Sequence, residues 1–233
     1  MAFVPIWDLN PLKRVRFQYV TVGIIVLNIL IYVLFETELV FHAAARFVAA
    51  FAVLPREEAP LGAVLQHWPS QFRLVTYMFL HGSPWHLIGN MIFLFVFGDN
   101  VEDALGHVRF AFFYCLCGVL AALLHSQITT SPDIPLIGAS GAISGVIGAY
   151  LLLHPNVRIW VLMPLFNLPF VPLRFSAAFV IGFWILYQIA SALFLSRTAT
   201  AWWAHIGGFA AGAILVMVMK RRDVKLFDAA AGA

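Results

Sequence analysis

Charged residues are scarce in this chain. Only 11% of its 233 residues are Asp, Glu, Lys or Arg, whereas 62% are hydrophobic. Soluble domains average about 25% charged and 45–50% apolar residues. The mean hydropathy of +0.91 agrees with this bias. A water-soluble domain of this size could not bury so much apolar surface, and the composition therefore predicts a membrane protein.

Other absences narrow the functional classes. The pattern H-E-x-x-H does not occur, which disfavours a zinc protease. The chain has only two cysteines, Cys115 and Cys117, at a spacing that points them to different sides of a helix, so we expect no disulfide between them. Its basic residues flank apolar runs and form no continuous stripe, which favours lipid headgroups over nucleic acid.

Long apolar runs dominate what is present. A membrane span needs about 20 mainly apolar residues to cross about 30 Å of hydrocarbon. Six segments approach this length: 17–36, 86–105, 108–127, 138–154, 175–195 and 202–219. We therefore predict an all-α membrane protein, with a six-transmembrane-helix bundle at 17–220, an N-terminal segment at 1–16 and a C-terminal tail at 221–233.

The distribution of Lys and Arg predicts the orientation. With six spans both termini lie on one side of the membrane, together with the even-numbered loops. Of the fourteen Lys and Arg, all but Arg46, Arg56, Arg73 and Arg197 fall in these regions. Because positive charge concentrates on the cytoplasmic side, we expect both termini to be cytoplasmic.

Two connections between spans are unusual. The first, about 37–85, is rich in apolar residues but interrupted by prolines and by Glu57 and Glu58. We expect a long loop at the membrane interface there. The connection at 155–174 contains four prolines, so we expect an irregular cytoplasmic segment instead of one continuous helix.

Polar residues converge at one depth of the predicted bundle. Spans two, four and six run in the same direction, from outside to inside. His86 and Asn90 begin span two, Ser140 begins span four, and His205 begins span six. Polar groups within a bilayer are costly and mark functional positions. These four side chains are therefore the candidate site.

Glycine spacing predicts which helices approach each other. Gly141, Gly145 and Gly148 form a stripe beside Ser140, and Gly208 and Gly212 continue the helical face of His205. Small residues let helix axes come close in lipid. We therefore expect spans four and six to pack tightly and to bring Ser140 within reach of His205.

The residue types suit acyl transfer from a peptide. A serine hydroxyl becomes a good nucleophile when a base lies about 2.6–3.2 Å away, and His205 can be that base. The Asn90 amide and a His86 ring nitrogen can stabilise the oxyanion that forms. The carboxylate of a Ser-His-Asp triad is not evident, because the acidic residues of span two lie deeper in the membrane.

Three motifs resemble those of the rhomboid family of intramembrane serine proteases. Residues 138–141, Gly-Ala-Ser-Gly, resemble the family's G-x-S-G nucleophile motif. Residues 204–212 resemble its A-H-x-x-G-x-x-x-G motif, with His205 as the histidine and Gly208 as the first glycine. Residues 86–90 resemble its H-x-x-x-N motif. The likeness covers about 17–220.

The resemblance implies a bacterial-type six-helix member that cleaves single-pass membrane proteins within or near their transmembrane helix. It implies Ser140 and His205 as catalytic residues, His86 and Asn90 as the oxyanion hole, and no metal or cofactor. Supporting roles fall to a further set of residues: Gly138, Gly141, Gly208, Arg73 and Glu102. A prokaryotic cell membrane is the expected location.

The chain departs from the family pattern at two positions. Phe72 stands where the family's loop motif has tryptophan, and Ser144 stands where some members place an aromatic ring against the histidine.

Two other classes of function remain open from sequence. A pseudoprotease that binds membrane clients would be expected to lack the serine or the histidine, yet both are present. A transporter would be expected to show charged residues near the midplane or matched broken helices. Neither pattern is visible.

Overall fold

The structure is a computed structural model that describes residues 4–37, 44–55, 68–165, 168–195 and 200–228. Its helices are α1 (Tyr19–Ile31, followed by a π turn at Tyr32–Glu36), α2 (Ala44–Phe51), α3 (Trp68–Thr76), α4 (Pro84–Leu105), α5 (His107–Ile128), α6 (Ser140–Leu153), α7 (Ala177–Phe194) and α8 (Trp202–Met219). The strands are β1 (Val4–Asp8), β2 (Arg158–Leu165) and β3 (Leu168–Ser176). Much of the predicted interfacial loop, including Glu57 and Glu58, lies outside the described residues.

Four helical segments in the described chain are long and apolar enough to cross a membrane: Tyr19–Glu36, α5, α7 and α8. Helix α4 has 22 residues but carries Asp99, Glu102 and Asp103 in its last two turns. Helix α6 is apolar but has only 14 residues. Eleven of these are buried, so protein rather than lipid surrounds this helix.

The prediction of an all-α protein is wrong in one region. Strands β1, β2 and β3 form an antiparallel sheet with β2 in the centre, in which Arg158 pairs with Ser176 and Asp8 pairs with Ile159. The connection at 155–174 is not one continuous helix, as the prolines predicted, but its described residues form a hairpin of β2 and β3 and not an irregular segment. Pro172 is tolerated because β3 is an edge strand.

The sheet has a buried and an outward face. Ile159 and Val161 in β2 are almost completely buried, whereas Arg158 between Val157 and Ile159 is exposed. On the outward face the Arg174 guanidinium lies 4.0 Å from the centre of the Trp160 ring, a cation–π contact. This alternation is typical of a strand with one side on the core.

Acidic residues at the end of α4 fasten the N-terminal segment to the bundle. The Glu102 carboxylate is fully buried and accepts hydrogen bonds from the backbone of Val20 and Thr21, at 3.0 and 2.8 Å, and from the Thr21 hydroxyl at 2.7 Å. Glu102 thus satisfies free N–H groups at the start of α1. Asp103 accepts from the backbone N–H groups of Arg14 and Val15, both at 2.6 Å.

The sheet lies at the C-terminal end of α6. The Tyr150 hydroxyl, in the last turns of that helix, donates a hydrogen bond of 2.5 Å to Asp8 in β1. The Asn100 amide of α4 donates to the same carboxylate oxygen at 3.0 Å. Ser140 is the first residue of α6. About 15 Å of helix therefore separates it from the level of Tyr150.

Candidate active site

Ser140 and His205 meet at the beginnings of α6 and α8. The His205 Nε2 atom lies 2.8 Å from the Ser140 Oγ atom. The close approach of these two helices follows from their glycines. A Cβ on Gly208 would overlap the carbonyl oxygen of Gly141, and one on Gly212 would overlap that of Gly145. Only glycine permits this separation, since the obstructing atoms belong to backbone.

The His205 ring is held on its other sides by α7 and by its own helix. Its Nδ1 atom lies 2.8 Å from the Gln188 side-chain oxygen. The Trp184 ring centre is 6.2 Å away and tilted, and Trp202 meets the histidine edge-on at 6.1 Å. Ser144 does not support the ring. Its hydroxyl instead donates to the Ser140 carbonyl at 2.6 Å.

Gln188 has no assigned role from the sequence, although a signal was available. It is a single amide within the apolar segment 177–195 and is only 3% exposed. An isolated polar residue in a span is costly unless it has a partner. In a Ser-His-Asp triad a carboxylate orients the histidine, and the amide of Gln188 does not match that pattern.

His86 and Asn90 converge on the backbone that precedes the serine. Gly138 has a φ of 113°, a conformation that L side chains rarely adopt. A Cβ there would lie 2.6 Å from His86 Cε1, 2.7 Å from His86 Nε2 and 3.6 Å from Asn90 Nδ2. The two predicted oxyanion donors therefore border the turn at 138–140, and glycine leaves the space between them open.

A second histidine supports Asn90. The His81 Nε2 atom lies 2.9 Å from the Asn90 amide nitrogen, and the His81 and His86 ring centres are 5.1 Å apart. Burial lowers the pKa of His81 to about 3, so its ring is neutral and can accept a hydrogen bond from Asn90. The Glu36 carboxylate accepts from the His81 backbone at 2.6 Å.

The remaining predicted supporting residues lie in different places. Gly138, Gly141 and Gly208 border the Ser140 and His205 pair. Glu102 lies near the sheet, at the other end of α4. Arg73 is half-buried in α3, where a supporting role stays a prediction. No group of three or more His, Cys, Asp or Glu side chains in the described ranges could hold a metal ion.

Two cavities reach the Ser140 hydroxyl. One, of about 500 Å³, is bordered by Trp85, His86 and the loop preceding Ser140. The other, of about 470 Å³, lies between α4, α6 and α7 and is mainly apolar, with Phe93, Ile147, Phe183 and Trp184 in its wall. Ser140, His205 and Asn90 line both. The polar side chains of Ser140, His205 and Asn90 therefore lie in the wall of a mainly apolar cavity.

Residues 69–222, more than half of the chain, match the Rhomboid domain family model. RHOMBOID-like protein 1 of Arabidopsis thaliana is 29% identical over 192 residues, covering 76% of this chain and 46% of that protein. YdcA, a rhomboid relative from Bacillus subtilis, is 34% identical over 93 residues, 40% of this chain and 45% of its own. Rhomboid-related protein 2 of Mus musculus is 33% identical over 95 residues, 41% of this chain and 31% of its own.

The matches to these three relatives cover less than half of each relative's length. Together with the four apolar helices, the domain match makes this chain an integral membrane protein. The resemblance inferred from the three motifs is confirmed, and the chain belongs to the rhomboid family.

Proposed function

We propose that this protein is an intramembrane serine endopeptidase that cleaves single-pass membrane proteins within or near their transmembrane helix. Membership of the rhomboid family supports an intramembrane protease-type function. The observation that carries the finer assignment is the 2.8 Å contact between Ser140 Oγ and His205 Nε2, two residues that line an apolar cavity. This is the distance that a base needs to activate a serine.

The reaction begins with Ser140. Its oxygen attacks the carbonyl carbon of the scissile peptide while His205 Nε2 takes the hydroxyl proton, giving a tetrahedral oxyanion. The Asn90 amide and His86 donate hydrogen bonds to that oxyanion. The C–N bond then breaks as His205 returns the proton to the departing amine. Water, deprotonated by the same histidine, attacks the acyl-enzyme, and collapse releases the carboxylate and restores Ser140.

The two cavities suit a substrate that leaves its helical form. A transmembrane helix has no free backbone groups to present to Ser140, so its segment must unwind before attack. Unwound backbone in a bilayer needs polar partners from protein or water. The cavity near His86 and Trp85 offers polar groups, and the apolar cavity beside Phe183 accepts side chains from the lipid side. Substrates with small or helix-breaking residues near the cleavage site are therefore favoured.

The topology belongs to the same proposal. We propose six membrane spans: the four long apolar helical segments together with α4 and the short α6. Both termini then face the cytoplasm. Ser140 then lies beneath the outer interface, because α6 runs from outside to inside. Cleavage is expected near the outer end of the substrate helix. The location we propose is a prokaryotic cell membrane.

Reconstituted proteolysis tests this assignment. The purified protein in liposomes is mixed with a single-pass test substrate, and the cleavage site is mapped by mass spectrometry. We expect Ser140-dependent cutting near the outer end of the substrate helix. Ser191→Ala, which removes a buried hydroxyl of α7, is the matched control and should retain activity.

Three results would count against the proposal. Equal cleavage by Ser140→Ala would exclude the proposed nucleophile, and cuts confined to cytoplasmic segments would exclude the geometry. Substrate binding without cleavage by the unaltered protein would instead indicate a client-binding pseudoprotease.

A further inference from the structure

The neighbour of the proposed base on α7 is an amide. Gln188 lies four residues, about one helical turn, after Trp184, and its side chain is 3% exposed. Its Oε1 atom is 2.8 Å from His205 Nδ1, while His205 Nε2 is 2.8 Å from Ser140 Oγ. The imidazole therefore bridges a serine hydroxyl and an amide from two different helices.

These two contacts determine where the imidazole proton lies. A neutral imidazole has one N–H donor and one acceptor nitrogen. The Gln188 carbonyl oxygen can only accept, so Nδ1 carries the proton. The lone pair of Nε2 is then directed at the Ser140 hydroxyl and can receive its proton. With the other tautomer, Nε2 would donate to Ser140 and could not act as its base.

An amide is well suited to this location. An ionised carboxylate would be costly to bury between α7 and α8, whereas a neutral amide with a hydrogen-bond partner costs much less. Once His205 takes the serine proton, the same carbonyl oxygen stabilises the imidazolium through the Nδ1–H bond. Trp184 and Trp202 pack against the His205 ring and limit its rotation. The remaining task of the amide is to favour one tautomer.

We propose that Gln188 is a positioning residue, the third member of a Ser140–His205–Gln188 triad. It acts through His205 and does not touch the substrate bond. This inference rests on the proposed protease function, which requires His205 to act as a base. It supplies the orienting group that an aspartate supplies in a Ser-His-Asp triad.

Two substitutions separate orientation from packing. Gln188→Met keeps an unbranched side chain of similar length without a carbonyl oxygen. Gln188→Glu keeps an oxygen acceptor in the same position but introduces a charge that is costly to bury. If Gln188 only fills space, Met is the milder change. If Gln188 accepts from Nδ1–H, Glu is the milder change for catalysis.

Kinetics with the full-length protein in liposomes provide the first readout. We expect Gln188→Met to lower kcat roughly 10- to 10³-fold, because His205 no longer prefers the tautomer in which Nε2 can act as a base. KM should change little, because an unbranched side chain of similar length still lines the apolar cavity. Gln188→Glu should exceed Gln188→Met in kcat. The reverse order in two folded variants, or full activity in Gln188→Met, would overturn the proposal.

Nitrogen-15 NMR of histidine-labelled protein in detergent provides a readout that needs no activity. The signals that disappear in His205→Ala identify His205. We expect the unaltered protein to show Nδ1 protonated and Nε2 unprotonated, and Gln188→Met to lose this preference. A parental preference that persists in Gln188→Met would contradict the inference.

The two readouts distinguish the possible failures. If the unaltered protein shows no Ser140-dependent cleavage, the proposed protease function fails, and the tautomer still decides whether Gln188 orients His205. If cleavage depends on Ser140 but the His205 tautomer is the same with and without the Gln188 amide, the protease function stands and only the role of Gln188 is wrong.

Discussion

Gly208 packs directly against the backbone carbonyl of Gly141, with no space for a Cβ atom between them. Gly141 directly follows Ser140, and Gly208 lies about one helical turn beyond His205. The separation of α6 and α8, and with it the Ser140–His205 distance, therefore depends on this contact.

Gly208→Ala tests that dependence. The added methyl group meets backbone that cannot rotate away, so the helices must separate. We expect a loss of stability of about 1–3 kcal/mol or more, and a larger loss of cleavage as the Ser140–His205 hydrogen bond lengthens. Thermal unfolding and proteolysis in detergent measure both. Gly182→Ala is the control, because nothing lies within 4 Å of its added Cβ. Equal behaviour of the two variants would show that the glycine contact does not set the geometry.

His86 and Asn90 are expected to act in the transition state. Asn90→Ala or His86→Ala leaves the Ser140–His205 pair in place but removes a donor to the oxyanion. Each should lower kcat by roughly 10²–10³, about 3–4 kcal/mol of transition-state stabilisation. KM should change far less. Steady-state kinetics on a test substrate measure this split. Normal turnover with only a lower melting temperature would show that His86 and Asn90 stabilise the fold and do not stabilise the oxyanion.

Glu102 is expected to serve stability and not the chemistry. Glu102→Gln removes one acceptor oxygen from the buried group that holds the start of α1. Unmade hydrogen bonds of buried donors cost about 1–3 kcal/mol each. We therefore expect a clearly lower midpoint of denaturation with nearly normal activity per folded molecule. Lys13→Gln is the comparison, since it breaks the exposed 3.4 Å pair with Asp228, and such pairs contribute at most about 1 kcal/mol. A loss of kcat in folded Glu102→Gln would contradict this division.

Asp8 is expected to make stability depend on pH. Burial raises the pKa of Asp8 from 3.8 to about 6, against the lowering effect of the Tyr150 hydrogen bond. A carboxyl with a raised folded-state pKa favours folding while protonated. This contribution is complete below about pH 4 and is lost as pH rises through about 6. Asp8→Asn stays neutral throughout this range.

The measurement compares the unaltered protein with Asp8→Asn in detergent. Between about pH 4 and 7, the unaltered protein should lose on the order of 1–3 kcal/mol more stability than the variant. Parallel curves would show that Asp8 does not titrate as the buried environment indicates.

The long helices and the candidate residues were predictable from sequence because both depend on local patterns. Apolar length predicted the long helices, and the glycine stripes beside Ser140 and His205 predicted which two would approach. His86, Asn90, Ser140 and His205 all line one cavity. Their proposed roles still need the experiments described above.

The sheet was missed because its evidence was distributed over distant parts of the chain. The prolines at 155–174 argued against one continuous helix, but the β-branched residues Val157, Ile159 and Val161, each two positions apart, were a strand signal. The pairing of β1 with β2 joins residues more than 150 positions apart, which no local pattern reveals. Gln188 was missed for a chemical reason. Only a carboxylate was expected to orient the histidine, although a neutral amide oxygen can accept the same hydrogen bond.

The most direct measurement of the central claim is covalent labelling. The purified protein is treated with a fluorophosphonate, and the modified residue is identified by mass spectrometry. The account predicts a phosphonylated Ser140, no labelling of Ser140→Ala, and strongly reduced labelling of His205→Ala, because dyad members act as one unit. Modification of a different residue, or equal labelling of the unaltered protein and Ser140→Ala, would contradict the account.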